Sequence, residues 1–380
     1  MGGDRVSVLL VADPGDFSGT SEAKYFLSNL SNRVPTSEKN STVCVAKEMG
    51  TLLGQPVLVA STGIGSTAAA LCVTEILQCA ANIKEIIYMG TSGWSPQLGG
   101  TINPGNCSQT STAPLTRLGD LCITPWSVNW NCKKTDYVDQ CGGYPNLCNL
   151  PGDIFGPTAG FLYGDCMFSA YSMANLALSD ELIGAATSAA AASNFAARSA
   201  GVAAKEQDYW GLMSNGTGIN YTALLPAAGV RPAVWNYTQC VEVDSQFFYS
   251  GPPWEATARN YSALTINQAL NTSLTASDVI AVAAMEAIGL AEAMTKFQRV
   301  GGSTQIPFTV IRGASNYLYK PVSHNGAGFW SYGAPFVEDI ASGYAYAIAS
   351  ASSAVLSLFQ SRCSANGGTN GACNFAVQVA

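Results

Sequence analysis

The sequence predicts an α/β protein, and three stretches carry that prediction. "RVSVLLVA" (5–12) is β-rich and runs into the turn-like "DPGDFSG". "PVLVAST" (56–62) is a second apolar strand, followed by "GIGSTAAALCVTEILQCA", a glycine turn that opens an amphipathic helix. "EIIYMG" (85–90) is a third buried strand. Strand, glycine turn, helix, strand is the order expected of a sheet whose faces are covered by crossover helices.

Further elements follow in chain order. After the third strand comes "TSGWSPQLGG", expected as a loop. Between 107 and 235 the patterning loosens into a cysteine-rich insertion, or elaborated region, within one domain spanning 1–380. Its alanine-rich part, 180–205, is expected to be helical after a Ser179 cap. Order returns with "CVEVDSQFFYS" (240–250), a helix over 279–294, the strand "PFTVIRGAS" (307–315) and a last helix over 336–360.

The 279–294 stretch, "VIAVAAMEAIGLAEAM", raises a chemical question. At helical spacing, positions 279, 282, 283, 286, 289, 290, 293 and 297 share one face and read Val, Val, Ala, Glu, Gly, Leu, Ala, Phe. Glu286 therefore points toward the core, whereas Glu292 has Lys296 one turn on. A buried carboxylate without a partner costs several kcal/mol or takes up a proton. Something must hydrogen-bond to Glu286: a ligand, or a neighbouring backbone group or arginine.

Bulk composition narrows the function. Of 380 residues 48% are hydrophobic, enough for a large core, and only 11% are charged. A net charge of −7 and a pI near 4.8 oppose binding to nucleic acid or an anionic membrane, both of which need basic surface. No apolar run reaches the ~18 residues of a membrane span. Twelve cysteines suggest disulfides and an oxidising compartment, with the pairing left open. With one histidine and no CxxC pair, a zinc site is not expected. Eight N-x-[ST] sequons, at Asn29, Asn40, Asn106, Asn215, Asn220, Asn236, Asn260 and Asn271, add the expectation of a secreted or vacuolar glycoprotein. No signal peptide precedes Arg5, and "MGG" reads as a cloning remnant on a mature chain.

Several kinds of chemistry lack their motifs. There is no GxxxxGK[ST] phosphate loop and no GxSxG elbow. "GIGSTA" (63–68) matches the glycine spacing of a dinucleotide turn, but the next strand ends in Tyr88, Met89 and Gly90 where that fold wants an acid.

Four segments in order, "STGIGSTAAA", "YMGTSGWSPQLGG", "AAMEAIG" and "VIRGASN", resemble the nucleoside phosphorylase and nucleosidase superfamily. Its members include the methylthioadenosine/S-adenosylhomocysteine nucleosidases and the plant bark and vegetative storage proteins; "GTSGWSPQL" is most similar to the storage proteins. The resemblance covers about 1–106 and 240–350. It implies a three-layer αβα sandwich around a mixed, partly barrel-like sheet, and a homo-oligomer.

The resemblance also assigns roles. Met285 and Glu286 match a pair that meets the ribose, the carboxylate accepting from the cis-diol; two adjacent hydroxyls can satisfy both of its oxygens. Thr91, Ser92 and Gly93 match the loop lining the sugar, and Phe248 an aromatic against the base. Ser315 and Asn316 stand where purine-cleaving members carry serine and aspartate. Asn316 can donate a hydrogen bond to a base but cannot deliver a proton. Two arginines that bind phosphate in phosphorylases are matched by Tyr88 and, loosely, Glu22. For a hydrolase, Asp16 is the acid expected to activate water, with Asp13 second. Lys320 and His324 follow the last strand and can border the pocket.

The resulting expectation is a purine nucleosidase-like N-ribosyl hydrolase. It would act on a small-molecule nucleoside with no cofactor and no metal. The alternatives are a non-catalytic storage or nucleoside-binding glycoprotein, and an enzyme recruited to a non-nucleoside metabolite.

Overall fold

Alternation along the central strands sends successive side chains to two separate cores. In a computed structural model of the chain, Val8 and Leu10 join Ile86, Tyr88, Phe308 and Val310 on one face, while Leu9 and Val11 join Ile87, Met89 and Ile311 on the other. A strand buried on both faces reads as a continuous apolar run, which is how these segments look in the sequence. The structure describes residues 5–13, 21–35, 43–96, 115–129, 176–192, 194–217, 220–225, 230–245, 252–299, 306–318, 335–368 and 373–375.

In chain order the strands are β1 (Val6–Val11), β2 (Ser31–Pro35), β3 (Ala46–Leu52), β4 (Gln55–Ser61), β5 (Ile83–Trp94), β6 (Leu121–Thr124), β7 (Ser127–Asn129), β8 (Val234–Asn236), β9 (Cys240–Asp244), β10 (Ile280–Ala284) and β11 (Phe308–Tyr317). The helices are α1 (Lys24–Asn29), α2 (Ser66–Leu77), α3 (Leu176–Ala191), α4 (Ala200–Thr217), α5 (Pro252–Leu270), α6 (Ala287–Arg299) and α7 (Pro335–Ala365). Among the described residues, all eleven strands form one mixed sheet. Helices α2 and α6 pack on one face of its centre and α1, α3 and α7 on the other. The predicted three-layer αβα class is the one observed.

The sheet forks at β5. Its first half pairs in parallel with β1 as far as Tyr88, and its end pairs antiparallel with β10 at Gly93 and Trp94. On its other side β11 runs parallel along both halves. One branch continues β11–β6–β8 and the other β10–β9–β7. The branches bend toward each other, packing Trp94, Trp235, Ile280, Val282 and Ala314 between them. The Cys122–Cys240 disulfide ties β6 to β9. This gives the sheet its partly barrel-like form.

Four local expectations are corrected. The 279–294 stretch is not one helix: it is strand β10, a turn at Met285 and Glu286, and then α6. Small apolar residues there serve a strand buried on both sides as well as they serve a helix. Thr91, Ser92 and Gly93 lie inside β5, not in a loop, because β11 continues to pair with them. Ser179 is no cap but a fully buried residue within α3, its hydroxyl 2.7 Å from that of Thr309. The alanine-rich stretch is broken between α3 and α4.

Within 107–235 the described parts supply β6, β7, β8, α3 and α4. Two further disulfides, Cys44–Cys72 and Cys363–Cys373, are formed. Among the described residues no helix is long and apolar enough to cross a membrane, and no His, Cys, Asp and Glu group is placed to hold a metal ion.

Candidate active site at the fork of the sheet

The fork leaves a stretch of β5, residues 89–92, between its pairing with β1 and its pairing with β10. Backbone groups on that edge are free for side chains, and the carboxyl ends of β1, β4 and β10 all arrive there. A gap between diverging strand ends is where open α/β sheets place their ligands.

Glu22 fills part of the gap. It is buried just beyond β1, where its Oε2 accepts from the Ala12 and Asp13 amides at 3.0 and 3.1 Å. Its Oε1 accepts from the Thr91 amide at 2.9 Å and the Thr91 hydroxyl at 3.3 Å. Burial pushes this carboxyl up to about 7, against the lowering effect of Arg312 and the Asp13 and Thr91 amides, with Glu286 adding a further upward push. Asp13 accepts from the Tyr344 hydroxyl of α7 at 2.6 Å.

Glu286 lies at the junction of β10 and α6, 5% exposed. Its Oε2 takes Arg312 Nη2 at 3.1 Å and the Met285 amide at 3.3 Å; its Oε1 takes the Gly65 amide at 3.3 Å. The sequence left a ligand on one hand and a backbone group or arginine on the other; the structure supplies both arginine and backbone. Burial raises the Glu286 pKa above the ordinary carboxylate range, opposed by Arg312 and assisted by Glu242. The glycine turn that resembled a dinucleotide motif now has a use. Gly63 and Gly65 hold φ of 84° and 99°, and the turn presents the Gly65 amide to Glu286.

Arg312 links the acids. It sits on β11 opposite Gly90, forks onto Glu242 at 2.8 and 2.8 Å and stacks over the Tyr88 ring at 5.1 Å. Burial opposes its charge, but Glu242 and Glu286 hold its pKa well above the ordinary value. Gly90 makes room for this arrangement: a Cβ there would overlap Arg312 Nη1 and lie 3.2 Å from Glu22 Oε1, so the guanidinium would have to shift. The Tyr88 hydroxyl meets that of Thr62 at 2.7 Å.

The expected site residues fare differently. Glu286, Met285 and Thr91 converge at the gap. Ser92 is turned to the barrel side, where its hydroxyl accepts from the Trp94 indole at 2.9 Å. Gly93 backs onto Asn316, whose Nδ2 would be 2.9 Å from a Cβ at that position. Ser315 Oγ lies 2.8 Å from Asn316 Oδ1 and 3.1 Å from the Ser92 carbonyl oxygen. Asp16, Phe248, Lys320 and His324 lie outside the described residues. Glu22, Glu242 and Asp244 were missed as site residues. Glu22 stood out only as a lost arginine; the signal for the other two was a pair of acids at i and i+2 in the apolar strand "CVEVD".

Two clefts, of 420 and 330 Å³, lie away from Glu286. The first is lined by Lys84, Glu85, Glu181 and Arg362, and the second lies between α3 and α7.

No protein-family profile matches the chain, and no curated protein matches it. Among solved structures it is similar to a 5′-methylthioadenosine/S-adenosylhomocysteine nucleosidase from Neisseria meningitidis, at 14% identity and a TM-score of 0.46 over 94% of this chain and 99% of that one. The corresponding nucleosidase of Streptococcus pneumoniae gives 13% and 0.44 over 93% and 98%. Futalosine hydrolase of Helicobacter pylori gives 12% and 0.43 over 93% and 97%. At such identity and overlap no function follows from the likeness.

Proposed function

We propose that this protein is a secreted N-ribosyl hydrolase that cleaves the glycosidic bond of a purine nucleoside or a related riboside. The observation that carries the reading is Glu22. A carboxyl that titrates near 7, held by two backbone amides and Thr91, has the properties of a general base at neutral pH. Glu22 takes the part that the sequence alone gave to Asp16. In the proposed step Glu22 removes a proton from water, the water oxygen bonds to C1′, and the C1′–N bond breaks with its electron pair going to the base. Glu286, supported by Arg312, accepts from the ribose hydroxyls. Asn316 hydrogen-bonds the departing base, which takes its proton from solvent. Secretion is supported by the disulfides and by exposed sequon asparagines such as Asn220 and Asn271.

The test is release of free base from inosine, guanosine, adenosine and methylthioadenosine, with and without phosphate. Release without phosphate is expected, with Glu22→Gln slowing it at least 100-fold. Asn316→Asp should accelerate purine cleavage by supplying an acid. No release from any substrate, in wild type or in Asn316→Asp, would overturn the reading.

A second reading is favoured by one observation: Arg312 and two amides already satisfy Glu286 without a ligand. In that case the protein is a storage or nucleoside-binding glycoprotein, or acts on a different metabolite. Calorimetry with the same nucleosides separates a binder from an inert store.

A further inference from the structure

Glu242 and Asp244 have no task in the proposed step, yet both are completely buried beside it. They lie two residues apart on β9 and so face the same way. Glu242 engages Arg312 through both oxygens, and its Oε1 also accepts from the Ala287 amide at 3.3 Å. Asp244 Oδ2 accepts from the Ser127 hydroxyl and, at 2.9 Å, from the Ile288 amide. Its Oδ1 has no N–H or hydroxyl donor, and its carboxyl is in hydrogen-bonding contact with Glu242. Two carboxylates in contact in a dry site share a proton. Burial and the Glu242 charge both push the Asp244 carboxyl well up.

The arrangement has a consequence for anions. A buried guanidinium and the first amides of a helix are the two features that would draw a phosphate into this site. Glu242 occupies the guanidinium, and Glu242 and Asp244 together occupy the first two amides of α6. We infer that Glu242 is a positioning and specificity residue: it aims Arg312 at Glu286 and, with Asp244, keeps inorganic phosphate out. The aiming half rests on the hydrolase reading above; the exclusion half does not.

The experiment compares wild type, Glu242→Gln and Glu242→Asp. Calorimetric titration with inorganic phosphate needs no substrate. Wild type should give no binding, whereas Glu242→Gln, which uncovers the Arg312 charge, should bind phosphate. With a cleaved ribonucleoside, Glu242→Gln should raise KM roughly tenfold with a smaller change in kcat, and phosphate should become a competitive inhibitor. Glu242→Asp keeps the charge but is too short for the fork, so it should raise KM without admitting phosphate. If Glu242→Gln does not fold, Glu242→Ala, which also frees the guanidinium and leaves room for the anion, replaces it in the phosphate titration. Phosphate binding by wild type, or a folded Glu242→Gln with wild-type KM and no phosphate binding, overturns the inference. A wild type that cleaves no nucleoside defeats the hydrolase reading alone, and the phosphate titration still decides the exclusion.

Discussion

At the scale of the residue, the proposed step rests on Glu22, and its ionisation makes a prediction. As a base it must be deprotonated, so activity should rise with pH through about 7 on the acidic limb, and Glu22→Gln should erase that limb. The same shift acts on stability. The folded pKa of about 7 lies above the ordinary 4.5, so between these values the folded state binds the extra proton and stability falls as pH rises. Above pH 7 the cost is on the order of 3 kcal/mol, and urea titrations should show Glu22→Gln gaining on wild type there and matching it below about pH 4.5. Gly90 is the second residue-scale test. Gly90→Ala must displace Arg312 or Glu22, so base release should fall at least tenfold while the fold, followed by circular dichroism, persists.

At the scale of elements, the placing of Glu286 depends on how α6 begins. Gly289 lets the helix start lie against α2; a Cβ there would overlap the Ser66 carbonyl oxygen, so the backbone of one helix must shift. Gly289→Ala should therefore cost about 1–3 kcal/mol in urea unfolding and also weaken activity, because the shift reaches the Gly65 amide. The sequence showed that this region mattered but gave it the wrong form. A run such as "VIAVAAMEAIGLAEAM" fits a helix face and a doubly buried strand equally well, and only the pairing of β10 with β9 and β5 decides between them. Thr91 was misread for a related reason: "TSGW" has turn composition, but β11 holds it in the sheet.

For the whole molecule, Cys122–Cys240 is, among the described residues, the covalent tie between the two sheet branches. It closes a separation of 118 residues, against 10 for Cys363–Cys373. On the chain-entropy account these are worth about 5 and about 3 kcal/mol respectively. Replacing Cys122 and Cys240 by alanine should lower the denaturant midpoint more than replacing Cys363 and Cys373, and should loosen the cluster around Trp94 and Trp235, visible as a change in tryptophan fluorescence.

Residue order alone determined the α/β class, the strands β1, β4 and β11, the helix α2, and that Glu286 is buried and needs partners, because periodicity and buried-carboxylate cost are local matters. Tertiary structure alone decided which acid stands at the fork, that Arg312 is shared by Glu242 and Glu286, and that β6 is tied to β9. Those facts depend on contacts between segments tens to hundreds of residues apart, and the spacing of residues along a chain does not encode which distant neighbour a strand will meet.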